Sequence, residues 1–340
     1  MNTHCADIPH NAWYAAATSD EVGRSPLARR LLGHGIVLYR TTTGSAVALE
    51  DRCAHRPVPL SLGRVDGDDI VASYTGFRYA PDGRCVAVPT QPNVPYGAQV
   101  RSYPVVDDGA FVWVWAGDAN LARLRPTPQT PWLLDPAWHT FGASWTTAAS
   151  IRLLWDNFSD ITHVAHLHPE IAPPALTAGA TPPLEVTVSE TGMSFARSYP
   201  PSAVSDWHAQ VMELPAAGPY GQREEGELVS PGLWVDRWHV ETDAGIRSFV
   251  FTHAVTPLDE TSTRHVWRVS RNFADSGAAT GTLRPLFEAY YRKVQDVLET
   301  MQAVVTRDGE RADVLVAADA GAVQVRRIMD QLVADETGAR

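Results

Sequence analysis

The chain has 340 residues, of which 44% are hydrophobic and 20% charged, and its formal net charge is −11 at pH 7. This composition excludes a disordered chain, and the length allows two domains. The negative charge argues against nucleic acid or an anionic membrane as a partner, because phosphate groups would be repelled.

Membrane insertion and secretion are not expected either. The sequence has no apolar run of the roughly 18–20 residues that a membrane span needs, and its first residues lack the basic and apolar segments of a signal peptide. Cys5, Cys53 and Cys85 are too few and too scattered for a disulfide framework. We therefore predict a cytoplasmic protein.

The first third of the chain is predicted to be all-β. Residues 10–118 contain short β-branched and aromatic runs separated by turn signals such as "TTTGS", "VDGDD" and "APDGR". The Pro-rich stretch "RLRPTPQTPWLLDPAW" then has the composition of a connection between domains. We predict a β domain over 8–120, a connector over 121–135 and a second domain over 136–340.

The second domain is predicted to mix helices with one large sheet. "SIRLLWDNFSDITHVAHLH" has helical spacing of apolar residues up to Pro169, and 170–182 form a Pro/Ala/Gly loop. Residues 184–273 alternate as the strands of one antiparallel sheet do, and two helices close the chain. The predicted fold class is α+β.

The stretch "DNFSDITHVAHLH" is the densest in chemically active side chains: Asn157, Asp160, His163, His166 and His168. On one helix Asp160 and His163 share a face, and the proline after His168 loosens the helix so that His168 turns towards the same point. Two imidazoles with a carboxylate from elsewhere form the ligand set of a 2-His-1-carboxylate iron(II) site. The alternative is a set of capping and surface histidines on an ordinary helix.

A second cluster combines Cys53 and His55 in a C-x-H pair, the spacing at which a thiolate and an imidazole approach one metal centre. Some twenty residues later, where a second cysteine and histidine would complete the set, the chain has Ala72 and Thr75.

Taken together, these stretches resemble the oxygenase component of Rieske-type non-haem iron oxygenases, in the vanillate O-demethylase-like branch. The similarity runs over nearly the whole length. The segments that carry it are "NAWYAAATSDEV", "LLGHGIVLYRTTTGSAVALEDRCAHR", "PLSLGRV", "GFRYAPDGRCV", "YPVVDDGAFVWVWAGD", "DNFSDITHVAHLH" and "DAGAVQVRRIMDQLVADE".

The resemblance implies an all-β Rieske-like domain followed by a helix-grip domain, in which a curved antiparallel sheet wraps around a helix, and it implies a trimer. His163 and His168 would be the two imidazole ligands of a mononuclear Fe(II). Asp160 would bridge the cluster of one subunit to the iron of its neighbour, with Asn157 as its companion at the edge of the site. His166 would lie behind the site or at the surface.

The chain departs from the family in the first domain. The family binds a [2Fe–2S] cluster through C-x-H and C-x-x-H, and the second motif here is A-S-Y-T, residues 72–75. Cys53 and His55 remain, so each iron loses one ligand, and we do not expect a [2Fe–2S] cluster in this chain. Ser73 is off by one residue, and Cys85 is more simply structural. The sequence leaves open whether Ala72 and Thr75 are natural or laboratory changes.

The carboxylate ligand also departs from the family pattern. In the family it lies on the C-terminal helix, five residues before a Glu. If Glu299 is that Glu, the ligand position is Val294, which cannot bind iron. If the register is shifted, Asp296 is the ligand. The other reading of Asp296 is a solvated helix face.

Three functions remain open. The first is O₂-dependent hydroxylation or O/N-demethylation of a small aromatic or polycyclic substrate, with electrons from a cluster-bearing paralogue in a mixed oligomer and from a ferredoxin or reductase. The second is a redox-inactive pseudo-subunit that supports such an oligomer. The third is a repurposed pocket with non-redox chemistry. Four tryptophans on alternating stretches are candidates for either cavity or core: Trp207, Trp234, Trp238 and Trp267.

Overall fold

The computed structural model describes residues 5–160, 162–169, 172, 174–177, 182–215, 217–274 and 277–338. The chain divides into two compact units. The first takes the described residues of Met1–Gln129, Thr256–Glu260 and Glu336–Arg340, and the second takes those of Thr130–Val255 and Thr261–Asp335. The division falls inside the Pro-rich stretch, while the boundaries 8–120, 121–135 and 136–340 stay a prediction.

The first unit contains three small sheets, with strand orders β1-β10-β9, β2-β3-β4 and β5-β6-β7-β8, in which neighbouring strands are antiparallel. Their strands are Trp13–Thr18 (β1), Leu27–Leu31 (β2), His34–Arg40 (β3), Ala46–Glu50 (β4), Arg64–Asp66 (β5), Asp69–Val71 (β6), Arg78–Tyr79 (β7), Cys85–Ala87 (β8), Val105–Asp107 (β9) and Phe111–Trp115 (β10). The predicted β runs lie on or overlap these strands.

The second unit is built on one seven-stranded sheet, with the order β11-β17-β16-β15-β14-β13-β12. The consecutive strands β12 to β16 pair antiparallel, as the alternation of the sequence predicts. The strands are His139–Thr147 (β11), Glu185–Val188 (β12), Met193–Ser202 (β13), Tyr220–Ser230 (β14), Leu233–Thr242 (β15), Gly245–Asp259 (β16) and Ser262–Arg271 (β17).

One long helix packs against this sheet. Its buried apolar residues recur at helical spacing: Leu283, Phe287, Tyr291, Val294 and Leu298. The first three of them join the aromatic core that includes Phe141 and Trp267. The helices are Ile151–Ser159 (α1), Thr162–Leu167 (α2), Pro174–Thr177 (α3), Asp206–Met212 (α4), Gly277–Asp308 (α5) and Ala320–Thr337 (α6). The two predicted C-terminal helices are therefore present as α5 and α6.

The single helix predicted for residues 150–168 is wrong. Helix α1 ends at Ser159, Asp160 has extended backbone angles (φ −134°, ψ 104°), and α2 begins at Thr162. The Asp160 carboxylate accepts hydrogen bonds from both the backbone N–H and the hydroxyl of Thr162, each at 2.9 Å. Such a local side-chain bond competes with the helical ladder and starts a new helix. The predicted loop 170–182 lies mostly outside the described residues.

Among the helices of the described residues, none is long and apolar enough to cross a membrane. The cytoplasmic location stays a prediction.

Candidate active site

The two histidines that follow the break in the helix lie close together. The ring centroids of His163 and His168 are 6.2 Å apart, and the ring planes are inclined by 76°. His168 is fully buried, and the ring of Tyr290 from α5 lies 4.1 Å from its ring. His166, between them, is exposed. The structure thus brings His163 and His168 together and leaves His166 at the surface.

His163 is held in one tautomer. Its Nδ1 donates to the backbone carbonyl of Asp160 at 2.9 Å, because a carbonyl can only accept. Its Nε2 lies 3.4 Å from the amide nitrogen of Asn157. Burial lowers the pKa of His163, and the hydrogen bond to Asp160 offsets this only in part. His163 is therefore a neutral imidazole at neutral pH, with the lone pair on Nε2.

Asp296 does not join this pair. It is exposed on α5, whereas Tyr290 packs on His168 and Tyr291 is buried. Six helical positions separate Tyr290 from Asp296, which places them roughly 120° apart around the axis. Val294, the ligand position in the other register, is buried in the apolar core. Nowhere in the described part of the chain are three or more His, Cys, Asp or Glu side chains grouped so as to hold a metal ion.

In the first unit, Cys53 is buried in an apolar cluster beside Ala72, Phe77 and Tyr79. Its sulfur lies 3.4 Å from the Thr75 hydroxyl and 3.3 Å from the Tyr79 hydroxyl. The Tyr79 oxygen accepts the backbone N–H of Ala54 at 3.0 Å, which directs its own proton to the sulfur. Burial opposes ionisation of the thiol, yet the hydrogen bonds from Thr75 and Tyr79 lower the pKa of Cys53 on balance.

The other candidate ligands near Cys53 are His55, Ser73 and Cys85. His55 is exposed, and its ring stacks on Phe77 with centroids 4.9 Å apart. Ser73 is exposed, and the Cys85 thiol donates to the backbone carbonyl of Ala87 at 3.5 Å.

A cavity of about 120 Å³ opens in the second unit and borders the histidine pair. Val164, next to His163, and Tyr290, which packs on His168, both line it. Six of its fourteen described lining residues are Trp, Phe or Tyr: Trp207, Trp238, Phe251, Phe287, Tyr290 and Tyr291. Of the four candidate tryptophans, Trp207 and Trp238 thus belong to the cavity, whereas Trp234 and Trp267 are fully buried core residues.

Comparison with known proteins matches both parts of the chain to family models. Residues 12–104 match the Rieske [2Fe–2S] domain, and residues 147–335 match the vanillate O-demethylase oxygenase C-terminal domain. The chain belongs to the oxygenase components of the Rieske type.

Relatives of this Rieske-type family extend over almost the whole chain. A toluene-4-sulfonate monooxygenase system iron-sulfur subunit of Comamonas testosteroni is 30% identical and covers 96% of this chain and 98% of the relative. The vanillate O-demethylase oxygenase subunit of Pseudomonas sp. (strain HR199 / DSM 7063) is also 30% identical, covering 98% and 97%. A crystal structure of dicamba monooxygenase bound to 3,6-dichlorosalicylic acid superposes with a TM-score of 0.87 at 28% identity, covering 97% of this chain and 99% of that one.

The family, the fold class and the enzyme class predicted from the sequence are confirmed. The chain is an α+β protein of the vanillate O-demethylase-like branch, and an oxidoreductase of the monooxygenase and demethylase type.

The [2Fe–2S] cluster of Rieske-type oxygenases does not fit the residues of this chain. A Rieske cluster needs two thiolates on one iron and two imidazoles on the other. The corresponding positions in the described residues offer one thiol, Cys53, and one imidazole, His55. Ala72 has no donor atom and is 1% exposed, and the Thr75 hydroxyl is engaged with the thiol of Cys53.

The mononuclear iron of the family fits in part. His163 offers the unprotonated Nε2 of a neutral imidazole, and the buried ring of His168 lies 6.2 Å away between ring centroids. The backbone bond that fixes His163 is typical of metal-binding histidines. The predicted carboxylate, Asp296, lies on another face of α5. Of the three predicted iron ligands, the structure brings His163 and His168 together and leaves Asp296 apart, so the iron site stays a prediction.

Sequence reasoning missed a group of buried titratable residues on β14 to β17. Glu224 and Asp236 line the cavity, and burial raises the pKa of each carboxyl to about 7. His253 Nε2 lies 3.4 Å from Asp236, and His253 Nδ1 lies 3.0 Å from Nε2 of His265. Burial lowers the pKa of His253 to about 3. The alternation of "REEGE" and "WVDRWH" was the available signal, but it does not tell which face is covered.

Proposed function

We propose that this chain binds a small aromatic substrate in the cavity of the second unit and takes part in its O₂-dependent hydroxylation or O/N-demethylation. The observation that carries the proposal is the position of the cavity, which shares Val164 and Tyr290 with the surroundings of His163 and His168. Relatives named as monooxygenases and demethylases support the reaction class.

The chain's own residues bind and orient the substrate and shield it from water. Six Trp, Phe and Tyr side chains line the cavity, so they would remove the apolar surface of a substrate from water and fix the plane of its ring. His163 and His168 would hold Fe(II), which when bound supplies the activation of O₂. The hydrogen bond from His163 to the Asp160 carbonyl keeps the ring in the orientation and tautomer that a metal needs.

Electrons have to come from outside this chain, because its first unit lacks the donors of a cluster. We propose a mixed oligomer with a cluster-bearing paralogue of the same family, in which Asp160 lies between the partner's cluster and the histidine pair, and a ferredoxin or reductase as the source of electrons. Asp160 supports this role through its backbone bond to His163. The alternative to this mixed oligomer is a homotrimer.

The first test is the metal content of the protein purified anaerobically. We expect about one iron per chain and no acid-labile sulfide, because the histidine pair is present and the cluster donors are not. His163→Ala and His168→Ala should lose the iron. His166→Ala is the matched control, since His166 is exposed on the same short helix. Two irons with matching sulfide would overturn the assignment of the cluster site.

The second test is turnover with a co-expressed cluster-bearing paralogue and a reductase. Substrate-dependent O₂ consumption and formaldehyde release from O- or N-methyl aromatics should appear only in the mixed oligomer. Iron near zero that added Fe(II) does not restore, together with no turnover in the mixed oligomer, would refute the proposal and leave a pseudo-subunit or a non-redox pocket.

A further inference from the structure

Two carboxyl groups lie on one face of the sheet within the aromatic cavity. Glu224 on β14 pairs with Trp238 on β15, and Asp236 is two residues before Trp238. Glu224 and Asp236 are therefore diagonal neighbours on the same face of adjacent strands. Both line the cavity.

One carboxyl oxygen of Glu224 lacks a hydrogen-bond partner in the described part of the chain. The residue is 3% exposed, and its Oε2 accepts the hydroxyl of Tyr199 and lies 3.5 Å from the Arg197 guanidinium. Within the described residues its Oε1 has no hydrogen-bond partner. A buried carboxylate oxygen without a donor is costly, which points to a donor supplied by a bound molecule.

Among the described residues no arginine forms an ion pair with Asp236, although the charges of Arg237 and His163 offset part of the effect of burial on its pKa. Trp234 Nε1 donates to its Oδ1 at 2.7 Å, and its other partner is the imidazole of His253, which burial keeps neutral. Its side chain keeps 21% of its exposure, so it remains accessible from the cavity. The guanidinium of the adjacent Arg237 donates to Glu227 at 3.0 Å.

The charged residues Glu225 and Arg237 at the edge of the cavity add no net positive charge. Glu225 and Arg237, which pair across β14 and β15, also border the cavity. The Glu225 carboxylate accepts from Arg223 at 2.9 Å, and the Arg237 guanidinium is taken up by Glu227. The cavity therefore presents a carboxyl pair and aromatic faces to an incoming molecule, and an anion would meet repulsion there.

We propose that the cavity selects aromatic molecules that carry a protonated amine, with the N–H directed to the Glu224 and Asp236 pair and the apolar body against the aromatic wall. Aromatic rings attract a cation, and Trp238, Phe251 and Phe287 line the same cavity as the two carboxyls. This inference names the class of substrate, and in that respect it rests on the proposed function.

The test is a binding titration with three probes in the absence of reductant, in which tryptophan fluorescence measures binding. N,N-dimethylbenzylamine is protonated at neutral pH, isobutylbenzene is its uncharged carbon isostere, and toluene-4-sulfonate is an anion. We expect the amine to bind about tenfold or more tightly than isobutylbenzene, and toluene-4-sulfonate to bind most weakly.

Asp236→Asn should weaken binding of the amine about tenfold and change binding of isobutylbenzene by less than about twofold, because the shape of the cavity is kept. Binding of isobutylbenzene thus shows that the variant is folded. Glu241→Gln, an exposed carboxyl on the same strand, is the matched control and should change neither. Equal binding of amine and isostere, tighter binding of the sulfonate, or no binding of any probe would overturn the inference.

The binding test separates this inference from the proposed function. A preference for the amine, with iron near zero and no turnover in the mixed oligomer, would leave the inference standing and refute the proposed function. Preferred binding and turnover of neutral or anionic methyl aromatics would support the proposed function and refute this inference.

Discussion

At the scale of single residues, the side chains at the four positions of the family's cluster motifs contact protein groups. The thiol of Cys53 lies between the hydroxyls of Thr75 and Tyr79, and Ala72 packs in the same apolar cluster. The sequence predicted which donors are missing, because C-x-x-H is a fixed spacing. It did not predict that Thr75 would bond to Cys53, since that contact joins two segments through the fold.

Restoring both donors should restore the cluster. In the double variant Ala72→Cys and Thr75→His, each iron again has two protein ligands, so anaerobic reconstitution should give about two irons and two sulfides per first unit, with visible absorbance. Each single substitution should fail, because one iron would still lack a ligand. Cluster assembly in a single variant, or none in the double variant, would contradict this account of the site.

At the scale of elements, helical spacing in the sequence predicts which residues of α5 are buried. Leu283, Phe287, Tyr291, Val294 and Leu298 form one apolar stripe, and the stripe is readable from the sequence. Asp296 lies off the stripe, so its exposure follows from the same pattern. The break at Asp160 was not readable, because a helical periodicity continues across it and only the bond to Thr162 shows the new start.

Asp296→Asn should therefore leave the iron content unchanged and alter the free energy of unfolding by less than about 0.5 kcal/mol, as exposed substitutions do. Leu298→Ala, two residues away on the buried stripe, should cost about 2–5 kcal/mol. Urea denaturation and iron analysis of both variants check this. Loss of iron in Asp296→Asn would show that α5 turns Asp296 to the histidine pair when metal is bound.

At the scale of the whole molecule, the sequence was sufficient for the order of the elements but not for the content of the cavity. The strands, α5 and α6 follow from alternation and helical spacing. Glu224 and Glu225 are adjacent and chemically alike, yet only Glu224 is buried beside Tyr199. The face of a strand that a helix covers is decided by tertiary packing, which is why the carboxyl pair and His253 were missed.

The cavity carboxyls also give the stability of the whole fold a pH dependence. Burial raises the pKa of Asp236 to about 7, so between about pH 4 and about pH 7 the folded state binds more protons at this group than the unfolded state. Its contribution is present at low pH and is lost as the pH rises through about 7. Burial lowers the pKa of His208 and of His253 to about 3, so these contribute with the opposite sign, and their stabilisation is lost as the pH falls.

Asp236→Asn removes the contribution of Asp236, which falls as the pH rises, and keeps that of Glu224 and the opposite ones of His208 and His253. The free energy of unfolding of the variant, relative to that of the unchanged protein, should therefore increase from about pH 4.5 to about pH 7, by at most about 1.4 kcal/mol per pH unit for one proton. Urea denaturation at intervals across this range measures the difference, with Glu241→Gln as the control that should show no such slope. A difference that does not vary with pH would mean that the pKa of Asp236 is the same in the folded and the unfolded protein, so that Asp236 carries its negative charge at neutral pH.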